Sequence, residues 1–571
     1  MEYTKKGTVT KDPLNQLISI IRAQKSADRT YDTAIFSAYA ILTAKKASPA
    51  VKPVFADMLE LIKENELVRS AVAAAVGDLW DEFDEVYNAC EIDALCKYII
   101  KPGVPKHTYD SSTPSSVSTL AIELLNVKNT NNLADLGTGN GEFIVNAYQS
   151  NANANYFGVE TNPELAAIAM IRAEMLGKNV KIEQRDMFSL WSEPQRYSKI
   201  FSDYPFCQKN LHVGLEFVDA CMNNKITPSL GGSSDWLYNF LLSECIDDGG
   251  KAIGIMTQGA CFNRIDKKMR QYFVENGLIE AVIALPPKMH AETAISLVLI
   301  IISKGNSSIR FIDAANLYKR GRRLNEFEPG HINSIMDALR TNSEISCELR
   351  PDEIATDDYN LSPQKKLSKP IEFKYGMTFG DVITRITRGA QIPANEIDRM
   401  IADEPTAYQY MMVGDIQDGM INEDLSFLKS IEPRLEKYCA APGSLLLSKN
   451  GEPFKVGVVD DTVKTKLLAT GNLYIIDLDR SRINPIYLKA FFESEIGTRL
   501  LRNSAAGTTL PVLQLDVLKS LTIPCPPLEE QTRIAEKYTK NQNLIKNLKS
   551  QITAALEESK SFFSQHEGLN L

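Results

Sequence analysis

Between about residues 115 and 305, short apolar segments alternate with stretches of helical pattern, and this alternation limits the possible folds more than any other feature. The apolar segments are Asn132–Leu136, Tyr156–Glu160, Ile200–Asp203, Ala252–Met256, Ile279–Leu285 and Ala294–Ser303. Helical stretches such as Pro163–Leu176 and Trp236–Cys245 separate them. A strand that returns to its sheet through a helix runs parallel to its predecessor. The pattern therefore predicts an α/β fold, a mainly parallel sheet with helices on both faces. At 571 residues the chain exceeds what one hydrophobic core can organise, so further domains must flank this one.

Upstream, Leu14, Leu17, Ile18 and Ile21 fall on one helical face, and Phe55, Met58, Leu59 and Ile62 repeat the spacing. This predicts a helical bundle with a packing role. A mixed segment, roughly 306–368, leads out of the α/β region. Beyond residue 370 short strands alternate with turn signals at Gly389, Gly414-Asp415, Asp418-Gly419, Pro442-Gly443 and Asn450-Gly451. Pro526-Pro527 ends that texture, and a long helix follows, from about Leu528 to Phe563. Its stripe of Ile534, Tyr538, Ile545, Leu548, Ile552, Ala555 and Phe562, interrupted at Asn541 and Ser559, fits a coiled-coil partner helix. It fits equally a helix packed on its own domain. The expected organisation is a helical domain 1–105, an α/β domain 106–320, a connecting segment 321–368, a strand-rich domain 369–526 and a C-terminal helix 527–571.

Composition removes several classes of function. No apolar run reaches the roughly 18–20 residues that span a bilayer, and the stretch Ile295–Ile302 ends at Ser303-Lys304-Gly305. The start, Met-Glu-Tyr-Thr-Lys-Lys, lacks the apolar core of a secretory signal, which points to the cytoplasm and to no membrane. Nine scattered cysteines without a Cys-x-x-Cys pair, and five isolated histidines, predict reduced thiols and no metal site. The net charge of −9 does not advertise a nucleic-acid partner, although an acidic total can enclose a basic channel. The dense basic run Lys319-Arg320-Gly321-Arg322-Arg323, taken alone, reads as a solvated loop rather than a phosphate clamp.

Chemistry enters at Asp135-Leu136-Gly137-Thr138-Gly139-Asn140-Gly141, which closes an apolar strand and opens a helix. Glycines there allow a tight turn and a close approach of backbone to ligand. Glu160 ends the next strand, where a carboxylate can accept hydrogen bonds from ribose hydroxyls. The spacing resembles the cofactor turn of class I methyltransferases more than the dinucleotide Gly-x-Gly-x-x-Gly. Asp186, in Gln184-Arg185-Asp186-Met187-Phe188, resembles the methyltransferase residue that meets the adenine amino group of the cofactor, with Met187 or Phe188 flanking the ring. Taken alone, Asp186 is a surface turn carboxylate; its order after Asp135 and Glu160 gives it meaning.

A second signal is Ser202-Asp203-Tyr204-Pro205-Phe206. It resembles the Asn/Asp/Ser-Pro-Pro-Tyr/Phe motif of amino-methyltransferases. An exocyclic adenine nitrogen is a poor nucleophile because its lone pair is delocalised into the ring. Holding both of its N–H groups turns the lone pair toward a methyl donor. On this resemblance Asp203 accepts through its side chain and Tyr204 through its carbonyl. Pro205 shapes the turn and Phe206 stacks on the base. Tyr204 stands where the family usually has proline, so the fixed φ of that ring is missing.

Longer phrases are similar to the modification subunits of type I restriction–modification systems. They include Trp236-Leu-Tyr-Asn-Phe-Leu-Leu242, Gly277-Leu-Ile-Glu-Ala-Val-Ile-Ala-Leu-Pro-Pro287, Ile309-Arg-Phe-Ile-Asp313 and Asp358-Tyr-Asn-Leu-Ser-Pro363. Thr113 and Pro114 look like the family's cofactor-facing pair, and their position before the glycine turn is the order of the γ class of adenine methyltransferases. The remainder, with Tyr410–Gly419, Pro442–Gly451 and Ile523–Ala535, resembles half of a type I specificity subunit. The resemblance implies a Rossmann-like class I methyltransferase core, S-adenosylmethionine as cofactor and N6 methylation of a flipped adenine in double-stranded DNA. A target-recognition domain would read the major groove, with Arg388, Lys449 and Thr508 as candidate contacts. It further implies a homodimer or a methyltransferase/specificity partner through the C-terminal helix, and a separate restriction subunit for any cleavage. A DNA-binding protein that keeps the scaffold but has lost the chemistry remains the alternative.

Overall fold

The computed structural model describes residues 12–561 apart from 27–29, 102–112, 193–194, 207–216, 218, 220–233, 291–295, 369–371, 423, 452 and 506–510. The chain divides into two compact units, residues 1–367 and 368–571. No helix among the described residues is long and apolar enough to cross a membrane.

The first unit is organised by a nine-stranded sheet. Its strands are β1 (Asn132–Leu136), β2 (Asn155–Glu160), β3 (Val180–Gln184), β4 (Tyr197–Ser202), β5 (Ile246–Thr257), β6 (Ile279–Ala284), β7 (Leu297–Ile302), β8 (Ile309–Asp313) and β9 (Ser346–Leu349), in the order β3-β2-β1-β4-β5-β7-β6-β8-β9. β1 to β5 are mutually parallel, whereas β7 runs antiparallel to both its neighbours, β5 and β6. The crossover from β5 to β6 through the helix Lys267–Glu275 skips one position, and β7 fills the gap from the opposite direction. This is the doubly wound, Rossmann-like class I arrangement with one reversed strand.

β7 shows why the sheet is central. All six of its residues are aliphatic and buried, as a strand covered on both faces requires. Val298, Ile300 and Ile302 join one core with Trp236, Leu237 and Phe240 of the helix Asp235–Cys245. Leu297, Leu299 and Ile301 join the other with Val117, Leu120 and Leu124 of the helix Ser115–Leu125 and Phe143 of the helix Glu142–Ser150. Residues 321–368 do more than connect. β9 pairs antiparallel with β8, and Ile354 and Leu361 fill the core on the Trp236 side.

The N-terminal helices surround Thr30–Ala47, which is buried almost throughout. Their core of Phe36, Ile41, Val72, Trp80 and Phe83 also takes in Ala167, Ile168 and Ile171 from the helix Pro163–Leu176. The bundle therefore shares its interior with the sheet's own crossover helix.

In the second unit a four-stranded sheet joins Ile383–Arg388, Leu473–Leu478, Leu445–Ser448 and Val456–Val458, and a five-stranded sheet includes Tyr408–Met411 and Lys466–Ala469. The helix Leu528–Ser561 begins docked: the buried Gln531 side chain donates to the carbonyl oxygens of Arg482 (3.0 Å) and Pro526 (2.7 Å). Farther along, Leu544, Leu548, Ile552 and Leu556 are 55%, 48%, 60% and 58% exposed.

Candidate active site

In an open parallel sheet, ligands bind beyond the carboxyl ends of the strands, where the strand order reverses. Here the order reverses between β1 and β4, and the register brings their ends level: Asp135 lies opposite Phe201, and the Ser202 hydroxyl donates to the Leu136 carbonyl. The glycine turn and the Asp203–Phe206 segment thus leave the sheet side by side.

The turn is built on φ angles that side chains rarely adopt. Gly137, Gly139 and Gly141 have φ of 86°, 55° and 81°. A Cβ on Gly141 would meet Ala169 at 3.2 Å, so this glycine allows close packing of the following helices. Apart from adjoining residues, no atom of the described residues lies within 4 Å of where a Cβ on Gly137 or Gly139 would sit, which leaves open space beside the turn. The Gly137 and Thr138 amides donate to the Val159 carbonyl at 3.0 and 2.9 Å, and the Gly139 amide donates to Glu160 Oε2 at 2.9 Å. Glu160 Oε1 accepts from the Asn162 amide at 2.8 Å. Asp135 is buried and accepts from the Thr138 hydroxyl at 2.7 Å. Burial pushes its carboxyl up to about 7; the Thr138 hydrogen bond opposes this, and the Asp203 and Glu160 carboxylates add to it.

At the end of β3, Asp186 is exposed and accepts from the Phe188 amide at 2.9 Å, while Met187 and Phe188 are buried beneath it. Asn140 turns the other way. Its side-chain oxygen accepts from the Glu142 amide and from Arg172 Nη1, both at 3.1 Å, so it shapes the turn from within. Open space at two glycines, Glu160 at the end of β2 and the exposed Asp186 carboxylate together form a cradle suited to a nucleoside with its ribose and base.

Asp203 is the centre of the chemistry-bearing group. Its side chain is 5% exposed, and Oδ2 accepts from the Thr113 hydroxyl at 2.7 Å and lies 3.2 Å from His290 Nε2. Oδ1 is buried with no hydrogen-bond partner among the described residues. A buried carboxylate oxygen left unpaired is costly, and an incoming N–H donor would relieve that cost. Pro114 precedes the helix Ser115–Leu125, placing Thr113 against Asp203. Pro205 is exposed, and the half-buried Phe206 sits edge-on to His290, with ring centroids 5.3 Å apart.

Tyr204 points inward. Its ring is 1% exposed and stacks on Tyr238 at 4.5 Å with 11° between the planes. Gly254 makes the room: a Cβ there would fall 3.2 Å from Tyr204 Cε1 and 2.4 Å from Asn239 Oδ1. Burial pushes the phenol well above its ordinary value, and the Asp235 carboxylate reinforces this. The hydroxyl approaches Asn239, yet neither the hydroxyl nor Asn239 Oδ1 completes a hydrogen bond among the described residues. Packing thus restrains this position where the family's proline would use its ring.

Two residues of the site escaped sequence reasoning. His290 lies in Pro286-Pro287-Lys288-Met289-His290, a stretch whose pattern says nothing about Asp203. Arg172, 1% exposed on the helix Pro163–Leu176, donates to the carbonyls of Ile99 and Asn140 (3.1 Å each) and to the Tyr31 hydroxyl (2.6 Å). The candidate DNA contacts belong to the second unit. Arg388 Nε donates to the Gly471 carbonyl at 2.6 Å, so its guanidinium already has a structural task. Lys449 is half-buried and makes no ion pair among the described residues, and Thr508 lies outside them.

Residues 106–373 match the N-6 DNA methylase family, and residues 378–558 match the type I restriction modification DNA specificity domain. Two methylase subunits of Methanocaldococcus jannaschii are similar. That of type I restriction enzyme MjaVIII is 25% identical over 308 residues, 48% of this chain and 52% of the relative. That of MjaIX is 24% identical over 296 residues, 46% of this chain and 52% of the relative. The chain spans about half the length of these curated relatives. Among solved structures, the type I restriction-modification methyltransferase subunit from Streptococcus thermophilus aligns over 61% of this chain and 97% of its own, at 17% identity and a TM-score of 0.46.

Proposed function

We propose, from the match of residues 106–373 to the N-6 DNA methylase family and of residues 378–558 to the type I DNA specificity domain, that the chain methylates adenine N6 at a specific site in double-stranded DNA. S-adenosylmethionine would be held by the glycine turn, Glu160 and Asp186, and would supply an electrophilic methyl group on a sulfonium leaving group. The observation that carries the reading is the buried Oδ1 of Asp203 beside that turn, which has no hydrogen-bond partner among the described residues.

A flipped adenine places its N6 amino group against this oxygen. One N–H donates to Asp203 Oδ1 and the other to the Tyr204 main-chain oxygen, which directs the nitrogen lone pair at the methyl carbon. Transfer would form the N–C bond and break the C–S bond, releasing the sulfur as a neutral thioether, and the proton lost from N6 would pass to the Asp203 carboxylate. Thr113 and His290 hold Oδ2, so the carboxylate is oriented before substrate arrives. Phe206 offers its ring face to the base. Because the Tyr204 side chain packs into the core, the departure at this position leaves the main-chain acceptor in the motif.

The second unit, with Arg388, Lys449 and Thr508 as candidate contacts, selects the sequence. Leu544, Leu548, Ile552 and Leu556 pair with a second copy or with a methyltransferase/specificity partner, and a separate restriction subunit supplies any cleavage. The test is transfer of labelled methyl from S-adenosylmethionine to mixed-sequence duplex DNA by wild type and Asp203→Ala. Wild-type incorporation lost in the variant supports the assignment. Equal incorporation by both would overturn it, and none by either would favour a DNA-binding protein without chemistry.

A further inference from the structure

We propose that the hairpin Lys319–Glu326 grips the DNA backbone beside the base held at Asp203. This inference rests on the reading that the chain acts on DNA, and it gives a task to the basic run that sequence alone leaves as a solvated loop.

The segment is a closed hairpin. The Lys319 amide donates to the Glu326 carbonyl at 2.9 Å, and the Glu326 amide donates back at 3.0 Å. Its tip is tight, because a Cβ on Gly321 would fall 1.8 Å from the Leu324 carbonyl oxygen. Arg320 and Arg322 flank this tip and are exposed. Lys319, at the base, pairs with Glu328 at 3.0 Å, whereas Arg320 and Arg322 make no ion pair among the described residues.

The hairpin is fastened to the active-site loop. Asn325 is 6% exposed; its amide donates to the Lys288 carbonyl at 2.9 Å and its side chain to the Pro287 carbonyl at 2.7 Å. Phe327, just beyond, is buried in the sheet's core. Lys288 holds a left-handed φ of 54° with its side chain exposed, adding a cation on the same loop. Two residues on, His290 lies 3.2 Å from Asp203. From Pro287 to His290 is at most about 11 Å of chain. A loop that served only solubility would need no buried asparagine locked to the strand connection that carries His290. Cations held at a fixed distance from the pocket suit the phosphates of the nucleotides flanking the target base, the contacts that position without reading sequence.

Counterion release makes the claim measurable: each phosphate contact contributes about 0.9 to the slope of log affinity against log salt. The full chain and a fluorescent mixed-sequence duplex are titrated by anisotropy between about 50 and 200 mM salt. The double variant Arg320→Ala, Arg322→Ala is expected to lower the slope by about 2, and the corresponding double lysine variant to keep it. An alanine variant with the wild-type slope overturns the proposal. So does a lysine variant that loses as much as the alanine one, since charge would then not be the cause. Methyl transfer in the same preparations separates the two readings. Transfer with an unchanged slope removes the hairpin's role and leaves the function, whereas a hairpin-dependent slope without transfer leaves the clamp and removes the chemistry. A wild-type chain that binds no duplex overturns both.

Discussion

Replacing Tyr204 with proline, the residue usual at this place in the motif it resembles, should harm this protein. The ring is 1% exposed and stacks on Tyr238 at 4.5 Å, in space that Gly254 leaves clear. Truncating a buried aromatic costs about 3–5 kcal/mol, and loss of a stacked pair adds about 1 kcal/mol. Removing a hydroxyl that completes no hydrogen bond among the described residues returns about 1–3 kcal/mol. The balance is a loss of about 3 kcal/mol. For the 367-residue unit, at about 2 cal/mol/K of unfolding entropy per residue, this lowers the melting midpoint by about 4 °C. Tyr204→Phe keeps the stack and discards the hydroxyl, so it should melt at or slightly above the wild-type temperature. Scanning calorimetry of the three proteins is the measurement. Below the transition the proline variant should still transfer methyl groups, because proline supplies the same main-chain carbonyl. A proline variant that melts with wild type would show that Tyr204 has no part in the core, and the account of its burial would fall.

Three further outcomes are expected. His290→Ala removes a hydrogen bond to a carboxylate, worth about 1.5–3 kcal/mol, and should lower kcat about 10- to 100-fold while KM for S-adenosylmethionine stays near wild type; an unchanged kcat would deny it any part in orienting Asp203. Burial raises the Asp135 carboxyl to about 7, above its value in the unfolded chain, so its contribution to stability is complete below about pH 4 and is lost as pH rises toward 7. Asparagine has no such proton to lose, so the melting advantage of Asp135→Asn relative to wild type should grow from pH 5 to 7 and level off above; a constant difference would refute the shift. Charged replacements at Leu548 and Ile552, exposed on the long helix, should dissociate any dimer seen in sedimentation, and a wild-type monomer both free and on DNA would remove the pairing surface.

Much of the first unit was legible because its signals are local. An aliphatic strand such as Leu297–Ile302 needs cover on both faces whatever surrounds it, and three glycines at φ of 55–86° announce a turn without knowledge of their neighbours. What stayed hidden depends on residues distant in sequence. The direction of β7 follows from the position left vacant between β5 and β6, which no periodicity encodes. Residues 321–368 looked like a connector because their one strand, Ser346–Leu349, is short and only partly buried. Tyr204 looked like a flaw because its compensation comes from Tyr238 and Gly254, and His290 looked like an ordinary loop residue because Asp203 lies 87 positions away.

Arg172 has a consequence for how this protein can be divided. One guanidinium, itself 1% exposed, grips Ile99 and Tyr31 from the leading helices and Asn140 from the glycine loop. A truncation that begins at the first strand would strand that cation in an apolar surface and free the loop it braces. The leading helices thus brace the glycine turn, and a fragment that keeps its geometry must include them.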